Sequence, residues 1–566
     1  MECSITVTLE SGTSAVLPCG TPVQTLAPAP EPGLPWMAAL VNNDLVSLSY
    51  PLSVNTHVVF VNAADAHGWR VYRRTLCFLL GMAVREAAPE AVFSVEHSFG
   101  LGLYCSFHTR DGNSHGISEE ELARVGRRMR EIVAQDLPIE RCKVAYCDAV
   151  RAFTLSGQHD KLHLLWHRNP PRVVMHCCGS FSDLAHGPLA PRTGVMDRFE
   201  LIHYPPGFVL HLPDRSDPTV IPPFEDQPHL FRIFQEHKEW GRILGVNTVG
   251  RLNEVIAEGN FDRFVQTSEA LHEKKLARIA DQIAAARDRV RIVLVAGPSS
   301  SGKTTFAKRL TTQLLVNGLQ PVTIGTDDYF VGEERNPRDE DGKPDYEHIE
   351  SVDLDLFNRH LTDLINGNEV ERPSFDFVRK QRVWTGVPMR LTADQVLIIE
   401  GIHGLNPRLT HRIPAFQKFK IYVSALTQLG VDSNNRLSTT DNRLLRRLVR
   451  DFRHRGHSAL HTLRMWASVR RGEKRWIFPF QREADATFNS ALDYELAVLK
   501  ALVEPLLMQV KPDKPEYTEA RRLTEFLLNF LPADEHAVPG VSILREFIGG
   551  SVLSYAAGEK PFIVRR

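Results

Sequence analysis

At 566 residues the chain is too long for a single hydrophobic core, and about two to four domains are expected. With 43% hydrophobic and 24% charged residues and a net charge of −1, it reads as a soluble globular protein with no global pull toward nucleic acid or membrane. It contains no run of about eighteen apolar residues, so no transmembrane helix is expected.

The start, "MECSITVTLESG", lacks the basic region and apolar core of a secretory signal. Ile5, Val7 and Leu9 alternate along an extended segment, and the runs "AALVNNDLVSLSY" and "THVVFVNA" follow with turn residues between them. A small β-rich module over residues 1–62 is expected. From Arg73 to Val84 apolar residues recur at helical spacing, then "VFSVEHSFGLGLYCSFH" reads as a strand pair, giving a mixed α+β region over 63–212. Eight cysteines, Cys3, Cys19, Cys77, Cys105, Cys142, Cys147, Cys177 and Cys178, fit neither a zinc nor a disulfide spacing. They read as reduced thiols of a cytoplasmic protein.

"LPDRSDPTVIPPFEDQP" holds five prolines in seventeen residues and marks a boundary. Residues 213–288 read as this linker followed by polar-faced connecting helices. Over 289–566 strands alternate with helical patterns, so the fold class expected is α/β, a parallel sheet with covering helices.

"VRIVLVA" is a β-branched apolar run suited to a strand buried on both faces, and it leads directly into Gly297, Pro298, Ser299, Ser300, Ser301, Gly302, Lys303, Thr304 and Thr305. A helix with Phe306, Leu310 and Leu314 on one stripe follows, closed by Gly318. This strand, GxxxxGKT loop and helix together form a phosphate-binding loop: backbone amides and a helix N-terminus face the phosphates. Lys303 is expected to bridge the β- and γ-phosphates of ATP, and the Thr304 hydroxyl to ligate Mg²⁺.

Two further strands define the chemistry. "PVTIGT" ends at Asp327 and Asp328, where Asp327 faces the ligand crevice and is a candidate general base for an acceptor hydroxyl; a loop-capping aspartate is the plainer alternative. "QVLIIEG" ends at Glu400, a second candidate Mg²⁺ ligand. No guanine-reading N-K-x-D or T-K-x-D follows. Between Asn442 and Arg475 ten arginines and Lys474 stand against Asp451 and Glu473 alone. Arg443, Arg447 and Arg450 share one helical face. Such a run is commonly a solvated surface, but beside a phosphate loop it can close over a triphosphate.

"GPSSSGKTTFAKRL", "TDDYF", "PDYEHIESVD", "PSFDFVRKQR", "LIIEGIHGL" and "RRLVRDFRHRG" together resemble the uridine kinase/phosphoribulokinase family over about residues 290–500. The resemblance implies Asp327 as catalytic base acting with Lys303 and Arg450. It implies Arg446, Arg447 and Arg455 at ATP, Thr304 and Glu400 at Mg²⁺, and acceptor contacts from Tyr329, Glu347, Phe375, Lys380 and Arg382. Glu347 stands where uridine–cytidine kinases carry a ribose-binding aspartate, Lys380 where they carry a pyrimidine-reading histidine, and His457 where an arginine is usual. Those departures leave transfer intact and remove the basis for pyrimidine specificity.

Residues 4–62 resemble the TGS module of threonyl-tRNA synthetase, and 63–212 its editing-type second additional domain. "RRTLCFLLGMA" and "DLAHGPLAPRT" match segments that there bear four ligands, but this chain has Phe78, Met82, Ala185 and Leu189, none able to hold zinc or move a proton. His186 and His176 nearby read as structural. The sequence therefore implies a cytoplasmic small-molecule kinase using ATP and Mg²⁺, with oligomerisation open. The alternative is an RNA- or ribosome-associated regulator that contacts its partner through the N-terminal domains and uses ATP as a switch.

Overall fold

The computed structural model describes residues 4–109, 116–168, 170–340, 342–377 and 379–553. It divides into two compact units: Met1–Gly259 with Gln428–Ser438 and Glu504–Leu531, and Asn260–Thr427 with Thr439–Val503 and Pro532–Arg566. This division is coarser than the four segments read from the sequence. It also differs in two respects: the break falls between 259 and 260, inside 213–288, and 428–438 and 504–531 pack with the first unit rather than with the C-terminal residues around them. Bonds distant in sequence draw them there: Lys161 Nζ donates to Asn434 Oδ1 (2.9 Å), and Arg70 pairs with Glu519 (2.6 Å).

The first unit begins with a five-stranded sheet. Ser4–Leu9 pairs antiparallel with Ser14–Pro18 and parallel with Thr56–Val61, which in turn carries Ala38–Val41 and then Asp44–Val46. Period-two alternation puts Ile5, Val7 and Val58 in its core. The helix Ala66–Ala87 follows; Asp65 caps it by accepting from His67 N (2.6 Å) and Gly68 N (3.2 Å). The strand pair Ala91–Phe99 and Gly102–Thr109 is antiparallel. Phe78, Met82 and Leu189 are buried in one apolar cluster with Ala185 packed against it, so hydrocarbon fills the four positions that bear ligands in the synthetase-like pattern. Of the two nearby histidines, His186 Nε2 meets Asp432 (3.1 Å), while burial holds His176 neutral, its pKa pushed down to about 3.

The second unit is built on a five-stranded, wholly parallel sheet. Across it the strands run Gln320–Gly325, Gln395–Glu400, Ile292–Ala296, Lys418–Ser424 and Ala486–Asn489. Every residue of Ile292–Ala296 is buried, as a central strand requires. In register, Val295 and Gly325 both lie beside Glu400. The phosphate loop, Asp327 and Glu400 therefore leave the sheet at one level of its carboxyl edge, where ligands bind in such folds. Helices Phe261–Ala285, Lys303–Val316, Leu354–Ile365, Thr439–Arg455, Ala459–Trp476 and Glu495–Leu507 accompany it. A two-stranded hairpin, Val370–Asp376 with Gln381–Met389, turns through Lys380 in the left-handed region (φ +54°).

Candidate active site

The loop between Ile292–Ala296 and the helix Lys303–Val316 is shaped by backbone demands. A Cβ on Gly297 would lie 1.9 Å from the Val423 carbonyl oxygen, so only glycine lets the loop leave the strand there. Gly302 (φ +84°) and Ser300 (φ +59°) take left-handed conformations, the backbone type from which anion-binding loops are built. The hydroxyls of Ser300 and Ser301 are buried and unpartnered.

Lys303 is buried and donates to Pro298 O (3.2 Å). Its ammonium charge acts on three carboxyl groups, lowering the pKa of Asp327, Glu347 and Glu400 against larger opposing effects. Asp327 sits in a concavity that is open to water but walled by protein on most sides; the loss of surrounding water raises its pKa despite Lys303, Arg455 and Arg450. Burial pushes Glu400 up to about 7, aided by Asp327 and Glu546. Thr304 Oγ1 donates to Glu400 Oε2 (3.2 Å). One hydroxyl and one carboxylate at the phosphate loop, with a second carboxylate in electrostatic reach, is an all-oxygen donor set suited to Mg²⁺, which completes its shell with phosphate oxygens and water. Glu400→Ala is expected to raise the Mg²⁺ concentration for half-maximal activity about 100-fold, read from a Mg²⁺ titration at fixed ATP.

The arginine helix Thr439–Arg455 divides by depth. Arg443 is buried; its Nε donates to Ser299 O (2.9 Å) and its guanidinium pairs with Glu473. Arg446, expected at ATP, is instead wholly buried: Nε donates to Glu495 Oε2 (2.7 Å) and Nη2 to Ser490 O (2.7 Å). A guanidinium sealed in the protein must be neutralised there, and these partners leave it no role at an incoming phosphate. Arg447 holds Asp451 (3.1 Å) and Ser299 Oγ (2.8 Å). Arg450 faces Glu546 at 3.7 Å with Nε unpartnered, and burial lowers its pKa to about 10. Arg455 is half exposed and bonds Asp451 (3.2 Å). Arg450, with Nε unpartnered, and Arg455, half exposed, are less fully engaged than Arg443 and Arg446.

Of the residues expected at the acceptor, Glu347 alone is coupled electrostatically to Lys303, and its Oε2 is buried without a partner. Tyr329 and Phe375 lie in the core beneath the crevice, Tyr329 Oη meeting His360 Nδ1 (3.2 Å). Lys380 is half exposed and paired with Glu333 (2.7 Å), while Arg382 pairs with Asp353 (2.9 Å) and keeps Nη1 unpartnered. His457 Nδ1 is also buried and unpartnered. Burial, reinforced by Glu473, pushes Glu347 up to about 7. Its carboxyl is neutral below that pH and a full acceptor of hydroxyl hydrogens above it. Accordingly kcat/KM for the acceptor is expected to rise between pH 6 and 8, and Glu347→Gln to flatten that limb of the profile.

Three acidic residues were missed from sequence. Glu473 accepts the Ser299 amide (3.1 Å), Glu495 holds Arg446, and Glu546 accepts the Thr305 amide (3.1 Å). Glu473 was visible only as a rare acid in a basic run; nothing local to Glu495 or Glu546 signals a phosphate loop.

The comparisons divide the chain as the residues do. The N-terminal part is similar to threonine–tRNA ligases. That of Citrifermentans bemidjiense is 28% identical over 199 residues, 35% of this chain and 31% of that protein. That of Thermotoga neapolitana is 32% identical over 168 residues, 29% and 26% of the two chains. The chain therefore spans less than a third of the length of these curated relatives. Among solved structures, D-glycerate 3-kinase from Cryptococcus neoformans aligns at 15% identity over 45% of this chain and 87% of its own, at a TM-score of 0.21, too weak a likeness to bear on function. Residues 292–497, which span the phosphate loop, Asp327, Glu400 and the arginine helix, match the model of the phosphoribulokinase/uridine kinase family.

Proposed function

We propose that this chain is an ATP-dependent small-molecule kinase that moves the γ-phosphoryl group onto a hydroxyl of a nucleoside-like or sugar-like acceptor. The observation carrying this reading is that the phosphate loop, Asp327 and Glu400 leave the parallel sheet at one level, with Lys303 acting electrostatically on Asp327, Glu347 and Glu400, and Arg450 and Arg455 acting on Asp327. A nucleotide-binding switch has no need of a carboxylate placed for an acceptor proton; a kinase does.

The amides of 297–305 and the helix N-terminus bind the triphosphate, and Lys303 draws charge from its transferring end. Asp327, its pKa raised by burial, takes the hydroxyl proton as the acceptor oxygen attacks in line. Glu347 orients the acceptor by accepting hydrogen bonds from its remaining hydroxyls. Arg450 and Arg455 balance charge that spreads over the equatorial oxygens and, with the lid closed, exclude water. Thr304 and Glu400 would hold Mg²⁺, which would supply further neutralisation of the phosphates. Purified protein assayed for ADP release across nucleosides, sugars and phosphosugars tests the reading. One acceptor class that stimulates release supports it, and release indifferent to every acceptor contradicts it.

A second reading, an RNA contact through the N-terminal domains, rests on their similarity to threonine–tRNA ligases. Its signature is RNA affinity that falls steeply with salt and disappears when residues 1–225 are removed.

A further inference from the structure

The phosphate loop is already engaged by an anion from the chain's own C-terminal segment. Thr305 N–H, in the first turn of the helix Lys303–Val316, donates to Glu546 Oε2 (3.1 Å). The other carboxylate oxygen faces Arg450 Nη1 at 3.7 Å, and its charge raises the pKa of Glu400. Glu546 thus touches the three features that an incoming triphosphate needs: a loop amide, a lid arginine and the field of the metal-binding carboxylate.

The segment that carries Glu546 is firmly seated. Ile543, Leu544, Phe547 and Ile548 are each at most 1% exposed. Ile543 packs so closely on Gly302 that a Cβ on that glycine would fall 2.4 Å from its Cγ2. Arg446 and Arg450 stack over the Phe547 ring at 5.0 and 5.9 Å. Arg545 ties the segment to itself through Val538 O (2.6 Å) and Glu535 O (2.9 Å), and Lys308 Nζ donates to Leu553 O (2.8 Å). Gly549 and Gly550 take left-handed φ (+81° and +71°) and supply a bend near the helix Thr439–Arg455, Arg453 donating to Ile548 O.

A helix N-terminus binds one anion well. With Glu546 in place, a phosphate oxygen loses the Thr305 amide, meets a like charge and finds Arg450 engaged. We propose that residues 538–553 form an autoinhibitory strap in which Glu546 competes internally for the nucleotide phosphates, and that ATP binds by separating Glu546 from Thr305 and Arg450. The strap rests on the reading of the loop as a nucleotide site. On this account Arg450 is exchanged from carboxylate to phosphate, so strap release and lid closure are one event.

The full-length protein tests this through Mg·ATP affinity measured by calorimetry for wild type and Glu546→Gln. A strap docked nine-tenths of the time weakens apparent affinity about tenfold, so the variant is expected to bind about tenfold more tightly. Hydrogen–deuterium exchange of wild type supplies a second readout without any substitution: amides of 540–552 are expected to exchange faster at saturating Mg·ATP. Affinity unchanged in Glu546→Gln, or exchange unchanged or slowed, overturns the strap and leaves the nucleotide site standing. Weaker binding by the variant overturns it also, and makes Glu546 a nucleotide contact. No binding by either protein removes the nucleotide site and the strap together.

Discussion

Alanine at Asp327 is expected to lower kcat for phosphoryl transfer about 1,000-fold while changing Mg·ATP affinity only a few-fold. The carboxylate stands just past the edge strand Gln320–Gly325, which the strand Gln395–Glu400 separates from the phosphate loop's own, in the field of Lys303, Arg455 and Arg450. Asp327 is exposed to water, and the surrounding protein raises its pKa against those cations. Steady-state kinetics with Asp327→Ala and Asp327→Asn check this. A loss confined to KM would make Asp327 a binding group, and near-normal turnover would remove it from the chemistry.

The second large effect separates two arginines one helical turn apart. Arg446→Met should destabilise the protein by about 3–5 kcal/mol, because it leaves the Glu495 carboxylate buried without its partner. Arg450→Ala should destabilise the protein less than Arg446→Met, because Glu546 keeps the Thr305 amide, and should reduce transfer about 100-fold or more by loss of charge stabilisation over the phosphates. Denaturant unfolding paired with kcat measures both. A stable Arg446→Met that had lost only ATP affinity would return Arg446 to the nucleotide site.

Those arginines also show what the sequence could convey. The loop Gly297–Thr305, Asp327 and Glu400 were legible because each is a local pattern: an apolar strand followed at once by the polar residue that leaves its end. The arginine helix was legible as a helix. Its division into buried anchors and open lid residues was not, because that depends on which face meets Glu473 and Glu495, and those carboxylates arrive from elements well downstream. Glu546 lies 241 residues from the amide it caps, beyond the reach of any spacing argument. The same non-local bonding drew Gln428–Ser438 and Glu504–Leu531 into the first unit. The synthetase-like ligand positions were easier, since four apolar side chains at metal-ligand positions announce a filled core, and Phe78, Met82 and Leu189 are buried together.

The acceptor contacts were the least legible. Lys380 and Arg382 read as free cations aimed at a substrate, whereas Glu333 and Asp353 pair with them across the hairpin and its neighbouring loop. Glu347 lies in the field of Lys303, Arg447 and Glu473, and its Oε2 is buried without a partner.

The proposed kinase passes the terminal phosphoryl group of ATP to an acceptor hydroxyl. ATP labelled in its γ-phosphate, incubated with the full-length protein, Mg²⁺ and the acceptor panel, tests it by the fate of the label. Label covalently attached to one acceptor class, and absent with Asp327→Ala, is the result expected. Label that stays in ATP, or appears only as inorganic phosphate whatever acceptor is present, would contradict the kinase account.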